Sequence, residues 1–426
     1  LRLNRLFIPV VRVFRKLGPG LITGASDDDP SGIATYSQAG AQFGLTTLWT
    51  AWISFPLMAA IQGMCARIGI VTQEGLTGVL KKNYPRAILY LMILFSFPAI
   101  VMNIGADIAG MGAVANLICP AIPVWIFSIL FTGLVMAAII LLPYRKMART
   151  MKYLAMILLV YLIVPFIAHT NWLKVANATL LPHVIWNKDY LNILVAILGT
   201  TISPYLFFWQ ANMEVEEMQE RQLVSKISRK IVVNNHILGV MKTDVNLGML
   251  FSNIVMFFII LTTGTVLFQG GVKDIQTVEQ AARALQPLAG NFAYYLFAIG
   301  VIGTGFLAIP VLCGSLSYMF SETFGWKMGM NKKFHEAPSF YIIIIISLVL
   351  GLLMNYVGLS PIKALIYTAI LYGLTAPIII AIILHICNNK RVMGEHTNGR
   401  VSNFLGFTTL VLMTIAAVVL IYLQWQ

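Results

Sequence analysis

Apolar stretches of about 20 residues recur along this chain between charged or Pro/Gly-rich breaks, each long enough for a helix to cross a hydrocarbon layer about 30 Å thick. In 426 residues, 58% are hydrophobic and 11% charged, against roughly 25% charged in a soluble domain. A water-soluble globule is therefore excluded. The runs give about eleven spans, near 18–43, 46–72, 87–116, 121–142, 150–169, 189–213, 245–269, 290–321, 338–357, 361–387 and 402–425. The chain reads as one all-α integral membrane domain, 1–426.

An odd number of spans puts the termini on opposite sides. With the N-terminus inside, 23 Lys and Arg fall in inner segments and five outside (Lys174, Lys188, Lys273, Arg283, Lys363), with Arg67 inside span two. That bias predicts a cytoplasmic N-terminus and an external C-terminus. It also accounts for the net charge of +13 without nucleic acid as a partner. No cleavable signal peptide is visible, and a start at Leu1 rather than Met suggests that the numbering begins inside a longer sequence. Cys65, Cys119, Cys313 and Cys387 are too far apart for a zinc spacing or a disulfide framework and read as packing residues. The sequon Asn177-Ala178-Thr179 falls in an expected outer loop and is a weak signal of glycosylation.

Span one contains Gly24-Ala25-Ser26-Asp27-Asp28-Asp29-Pro30-Ser31-Gly32. An ionised Asp near the bilayer centre costs about 2.5–3.5 kcal/mol on insertion scales, so the run must face protein or water and serve a purpose. Pro30 removes a backbone donor and disfavours helix at Asp29, which predicts that the helix opens there. Span six has a counterpart in Gly199-Thr200-Thr201-Ile202-Ser203-Pro204-Tyr205. The two broken spans lie five apart, so repeats of five (about 18–169 and 189–387, with 402–425 extra) would be inverted, and the half-helix ends would meet at a midplane cation site. The alternative is two proline kinks, with Asp29 capping the second half-helix. Asp27 and Asp28 either line an inner vestibule that concentrates cations or lie solvated near the helix surface.

The run from Gly18-Pro19-Gly20 to Asp29-Pro30-Ser31-Gly32, followed by Ala39-Gly40-Ala41, resembles the first helix of the NRAMP divalent-metal transporters, whose hallmark is Asp-Pro-Gly-Asn. Gln62-Gly63-Met64-Cys65-Ala66-Arg67-Ile68-Gly69 is similar to the family's Gln-x-x-Ser-Ala-Lys-Leu-Gly. The resemblance implies a LeuT-like (APC superfamily) fold of five plus five inverted repeats and an eleventh helix, with helices one and six broken. It also implies a multi-pass protein of a bacterial plasma membrane.

Against the family pattern, Asp29 is kept, the asparagine ligand aligns with Gly32, and Met-Pro-His of helix six reads Ser203-Pro204-Tyr205. Thioether sulfur favours transition metals, whereas hydroxyl, carbonyl and carboxylate oxygens suit hard ions. One proton-pathway acid is kept as Asp107, while the other aligns with Gly110, and the second histidine of helix six aligns with Gln210. Asp107 reads as a titrating group or an interhelical polar contact. These departures resemble the NRAMP-related magnesium transporters. Mg²⁺ tends to keep several waters, so the expected pocket holds a partly hydrated ion by Asp29, with Ser31, the opening at Gly32, the Thr200 carbonyl and Ser203. Asp28, Asp107, Tyr205 and Gln210 are accessory candidates.

The expected activity is secondary transport of Mg²⁺, and of Mn²⁺, by alternating access without proton coupling. The rivals are a proton-coupled Mn²⁺/Fe²⁺ importer, an organic-solute carrier of the same fold and a channel. The ion is substrate; no cofactor and no obligate protein partner beyond the bilayer is expected. The 20 methionines are dispersed, the six histidines show no paired metal spacing, and Gly300, Gly303 and Gly305 read as a packing face. Glu214, Glu216, Glu217 and Glu220 read as the solvated end of span six, with a possible role in drawing cations inward. No triad, P-loop or cofactor motif is present, so an enzyme is not expected.

Overall fold

Pro19 and Pro30 each open a helix at the first turn, where the missing backbone donor breaks no intrahelical bond. Span one is therefore two helices, α1 (Pro19–Asp27) and α2 (Pro30–Phe43). In this computed structural model the described residues are 18–142, 146, 156–168, 170–220, 233–358 and 360–424. After α2 come α3 (Trp49–Thr72), α4 (Leu76–Asn83), α5 (Arg86–Ile118) and α6 (Val124–Leu141). Then follow α7 (Val160–Ile167), α8 (Trp172–Leu180), α9 (Lys188–Thr201), α10 (Pro204–Glu220) and α11 (Asn235–Val266). The remainder comprises α12 (Val278–Ala282), α13 (Gln286–Ala289), α14 (Ala293–Phe324), α15 (Pro338–Met354), α16 (Pro361–Asn388), α17 (Lys390–Met393) and α18 (Arg400–Gln424).

Eight of these passages are long and apolar enough to cross a membrane, with α9 and α10 taken together. The 17-residue α15 is a shorter apolar helix, and the first span is divided into α1 and α2 of 9 and 14 residues. Positions 150–155 and 169 of the expected fifth span lie outside the described residues, as do Arg2, Arg5, Arg12, Arg15, Lys16, Arg145, Arg149, Arg221, Lys226, Arg229 and Lys230. Span seven is longer than expected, because α11 starts at Asn235 under an Asn234 cap, ten residues before the apolar run. The short helices α4, α8 and α12 have no counterpart in the hydropathy reading, which registers only long apolar runs.

The two breaks share a backbone form. Asp28 ends α1 at φ −83°, ψ 55°, and Ile202 ends α9 at φ −111°, ψ 56°. Lipid is as apolar as leucine, so membrane helices associate by close packing rather than by burial of apolar surface. All nine residues of α1 are buried. A Cβ on Gly24 would lie 2.1 Å from the Gly248 carbonyl oxygen, and one on Gly248 would lie 2.1 Å from that of Gly20, so α1 and α11 meet backbone to backbone. In α14, a Cβ at Gly305 would strike Met111 at 2.3 Å, whereas one at Gly300 would only touch Leu158 at 3.8 Å. The expected packing face is tight at Gly305 and loose at Gly300.

Candidate metal site

Asp29 occupies the extended N-cap position of α2, which leaves its carboxylate facing the free amides of the first turn. Its Oδ1 accepts from the Gly32 N–H and the Ser31 hydroxyl, both at 2.7 Å, and its Oδ2 accepts from Asn103 Nδ2 at 2.8 Å. Thr368 donates in turn to Asn103 Oδ1 at 3.2 Å. The acid is thus both a helix cap and a fixed negative charge, 1% exposed.

Gly32 opens room beside it. A Cβ there would stand 3.3 Å from the Asp27 carbonyl oxygen, 3.3 Å from the Tyr36 ring and 3.4 Å from Thr200 Oγ1. The neighbours of that opening are oxygen atoms and an aromatic edge. Thr200 presents its hydroxyl here, while its carbonyl accepts the Ser203 hydroxyl at 2.6 Å. The C-terminal ends of α1 and α9, the negative ends of their dipoles, meet at this place. Tyr205, which follows the second break, donates at 2.9 Å to the Ser26 carbonyl near the end of α1.

Asp29, Ser31, Gly32 and Thr200 are thus gathered in one place, and Ser203 is joined to them through the Thr200 carbonyl. Asp107 sits one helical turn beyond Asn103 on α5, fully buried and facing the Ser31 backbone and Asp29. Gln210 lies away from the opening: its Oε1 accepts from Thr23 Oγ1 at 2.5 Å and its Nε2 donates to Glu214 at 2.8 Å, bridging α1 and α10. Among the described residues, no three His, Cys, Asp or Glu side chains are grouped to hold a metal.

Two expectations are corrected. Asp27 and Asp28 line no open vestibule and no solvated surface; both are fully buried against α11, because the tight α1–α11 contact turns that side of α1 inward. The acidic run of α10 is also not simply a solvated end. Glu214 is 5% exposed, and Glu216 accepts from Tyr318, from the Met330 N–H at 2.9 Å and from Asn331 at 3.1 Å. Asn103, Tyr36 and Ser252 were missed. The i, i+4 spacing of Asn103 and Asp107 in an apolar helix was the available signal for the first.

Both ends of the broken span are tied to neighbouring segments. At the start of α1, Asp244 on α11 accepts the Gly18 N–H at 2.8 Å and the Gly20 N–H at 2.7 Å. Along α2, Gln38 accepts the Ile275 N–H at 2.9 Å and donates to Asp274 at 3.2 Å, tying the helix to the segment before α12.

A divalent metal cation transporter named MntH from Caldanaerobacter subterraneus subsp. tengcongensis is 24% identical over 98% of this chain and 95% of its own length. A manganese transporter from Eremococcus coleocola, solved with an aromatic bis-isothiourea compound, superposes with a TM-score of 0.72 at 18% identity, over 94% of this chain and 85% of that one. MhsT solved with L-phenylalanine gives a TM-score of 0.61 at 13% identity, covering 95% and 97%. The architecture is thus the LeuT-like transporter fold, and the protein is a transporter, not an enzyme. Residues 20–423 match the family model for natural resistance-associated macrophage protein-like proteins, so the chain that builds this pair of opposed helix breaks belongs to the Nramp family.

Proposed function

We propose that the protein imports Mg²⁺, and Mn²⁺, across a bacterial plasma membrane by alternating access, down the ion's electrochemical gradient and without proton coupling. The observation that carries this reading is the oxygen-lined opening at Gly32, with Ser203 where the family places a sulfur ligand. A site of carboxylate, hydroxyl and carbonyl oxygens selects hard ions, and the opening gives a water of the ion's shell a place to stay. Asp29 supplies the charge, and Ser31 and Thr200 supply oxygens or hold water. The charge bias orients the N-terminus inside, which makes the Asp244 contact the inner closure and the Gln38 contact the outer one. A membrane interior negative by 100 mV favours entry of each divalent ion by about 4.6 kcal/mol. That is enough to drive uptake alone.

Proteoliposomes test this. Mg²⁺ influx should saturate, should vanish in Asp29→Ala, and should leave the lumen pH unchanged; metal influx with stoichiometric proton entry would reject the uncoupled form. The second reading, a proton-coupled Mn²⁺ importer, is favoured by the fully buried Asp107 near Asp29 and by relatives named for manganese or divalent cations. It requires Mn²⁺ uptake to withstand millimolar Mg²⁺. An organic-acid carrier fits less well, because the α2 amide that would receive a substrate carboxylate is already taken by Asp29.

A further inference from the structure

Arg67 is a cation inside a spanning helix. It stands five residues before the last residue of α3, about 7.5 Å into the helix at a rise of ~1.5 Å per residue. Charges at such positions are ordinarily paired or reach the interface. Among the described residues, no Asp or Glu lies in ion-pair range of Arg67. Its contacts are uncharged: a guanidinium nitrogen donates to Asn398 Oδ1, and the Cys387 thiol lies beside it. Asn398 donates in turn to Asn403 Oδ1 at 2.9 Å, and Asn403 and Asn388 exchange two amide bonds of 2.8 Å. This amide network fixes the guanidinium and cancels none of its charge. The segment that supplies it adds more: Lys390, Arg391 and Arg400 are exposed, against Glu395 as the one acid in 388–403.

The surface next to this charge is apolar and open. Between Leu57 and Ile70, the residues of α3 that are not buried are Ala60, Gly63 and Arg67, which share one face at helical spacing. A Cβ on Gly63 would meet no heavy atom within 4 Å, so the face is a furrow one turn from the guanidinium. On the neighbouring helix, a Cβ on Gly406 would stand 2.7 Å from Met64 Cε, which places α18 alongside α3 here. Immediately after Arg400, α18 presents Val401, Phe404, Phe407 and Val411 outward, each more than half exposed. The basic end therefore opens onto surface that only hydrocarbon can cover.

We infer that Arg67 and Arg400 hold the phosphate of an anionic phospholipid, with an acyl chain lying beside Gly63 and the outward face of α18. A guanidinium presents a planar fork that matches two phosphate oxygens, and basic pockets between spanning helices take anionic headgroups. Lys390 and Arg391 add attraction for the headgroup at the membrane surface. A free phosphate would answer the charge and leave the apolar furrow empty, whereas a lipid answers both. With the orientation proposed above, the lipid belongs to the inner leaflet. The site is separate from the opening at Gly32 and does not depend on which ion is carried.

Native mass spectrometry of the purified, delipidated full chain counts the lipids bound as phosphatidylglycerol or phosphatidylcholine with the same acyl chains is titrated in. Wild type should bind one phosphatidylglycerol more tightly than any phosphatidylcholine. Arg67→Gln and Arg400→Gln should each weaken that phosphatidylglycerol about fivefold and leave phosphatidylcholine binding unchanged. Arg67→Lys keeps the charge and should retain the preference. Gly63→Leu fills the furrow without meeting a neighbour and should also weaken the bound lipid. Lys363→Gln, at the far end of α16 from Asn388, should change nothing. Millimolar inorganic phosphate should not displace the lipid. Should Arg67→Gln fail to fold, Arg400→Gln and Gly63→Leu, both at surface positions, carry the test. Equal retention of the two lipids, or a phosphatidylglycerol indifferent to Arg400→Gln and Gly63→Leu, would overturn the inference. Displacement by inorganic phosphate would overturn it in favour of a soluble-anion site.

Discussion

Asp29 carries three hydrogen bonds that hold it in place before any ion arrives. The donor from outside its own loop is Asn103, so Asn103→Ala should lower the apparent Mg²⁺ affinity about 10- to 100-fold by letting the carboxylate turn, as measured by calorimetric titration; unchanged affinity would remove Asn103 from the site. The opening at Gly32 can be filled. With neighbours at 3.3–3.4 Å, a side chain there fits once they shift by a few tenths of an ångström. Gly32→Asn combined with Ser203→Met adds an amide oxygen and a thioether. It should raise the Mn²⁺-over-Mg²⁺ uptake ratio roughly tenfold, equivalent to about 1.4 kcal/mol, and competition uptake would show it. The sequence disclosed Asp29, the gap at Gly32 and the hydroxyls of the second break, because proline, glycine and clustered acids in an apolar run have local meaning. It did not disclose the surroundings of Asp27 and Asp28. Which face of α1 turns inward is decided by glycine contacts with α11, more than two hundred residues away.

At the level of helices, the break positions and most spans follow from proline placement and apolar length. The early start of α11 and the short α4, α8 and α12 do not, because they depend on caps and on contacts with other segments. Two predictions belong here. Gly24→Leu drives a side chain into the Gly248 backbone and should cost about 1–3 kcal/mol or more, seen as a lower melting temperature in detergent; an unaltered melt would mean that α1 and α11 are not in this contact. Asp244→Ala leaves the Gly18 and Gly20 amides without their acceptor. Losing about 2 kcal/mol from the closed form shifts the equilibrium roughly thirtyfold toward inward opening. A Thr23→Cys reporter should then react faster with a thiol reagent applied from the inner side, and equal labelling rates would show that Asp244 does not hold α1.

For the whole molecule, the LeuT-like architecture buries both helix breaks in the interior. Uptake of a divalent ion without a compensating proton moves two charges per cycle. Imposing an inside-negative potassium diffusion potential should therefore speed Mg²⁺ influx and an inside-positive one should slow it, each in the absence of a pH gradient; indifference to the potential would exclude electrogenic uptake. The two contacts that tie the ends of the broken first span differ in charge. Gln38 is an amide that accepts one main-chain N–H, that of Ile275, whereas Asp244 is a carboxylate that accepts two, those of Gly18 and Gly20. Main-chain groups cannot be mutated away, so natural or laboratory variants that retune how firmly the start of α1 is held must do so through Asp244 and its surroundings. Anything that competes for that carboxylate would loosen two main-chain bonds at once.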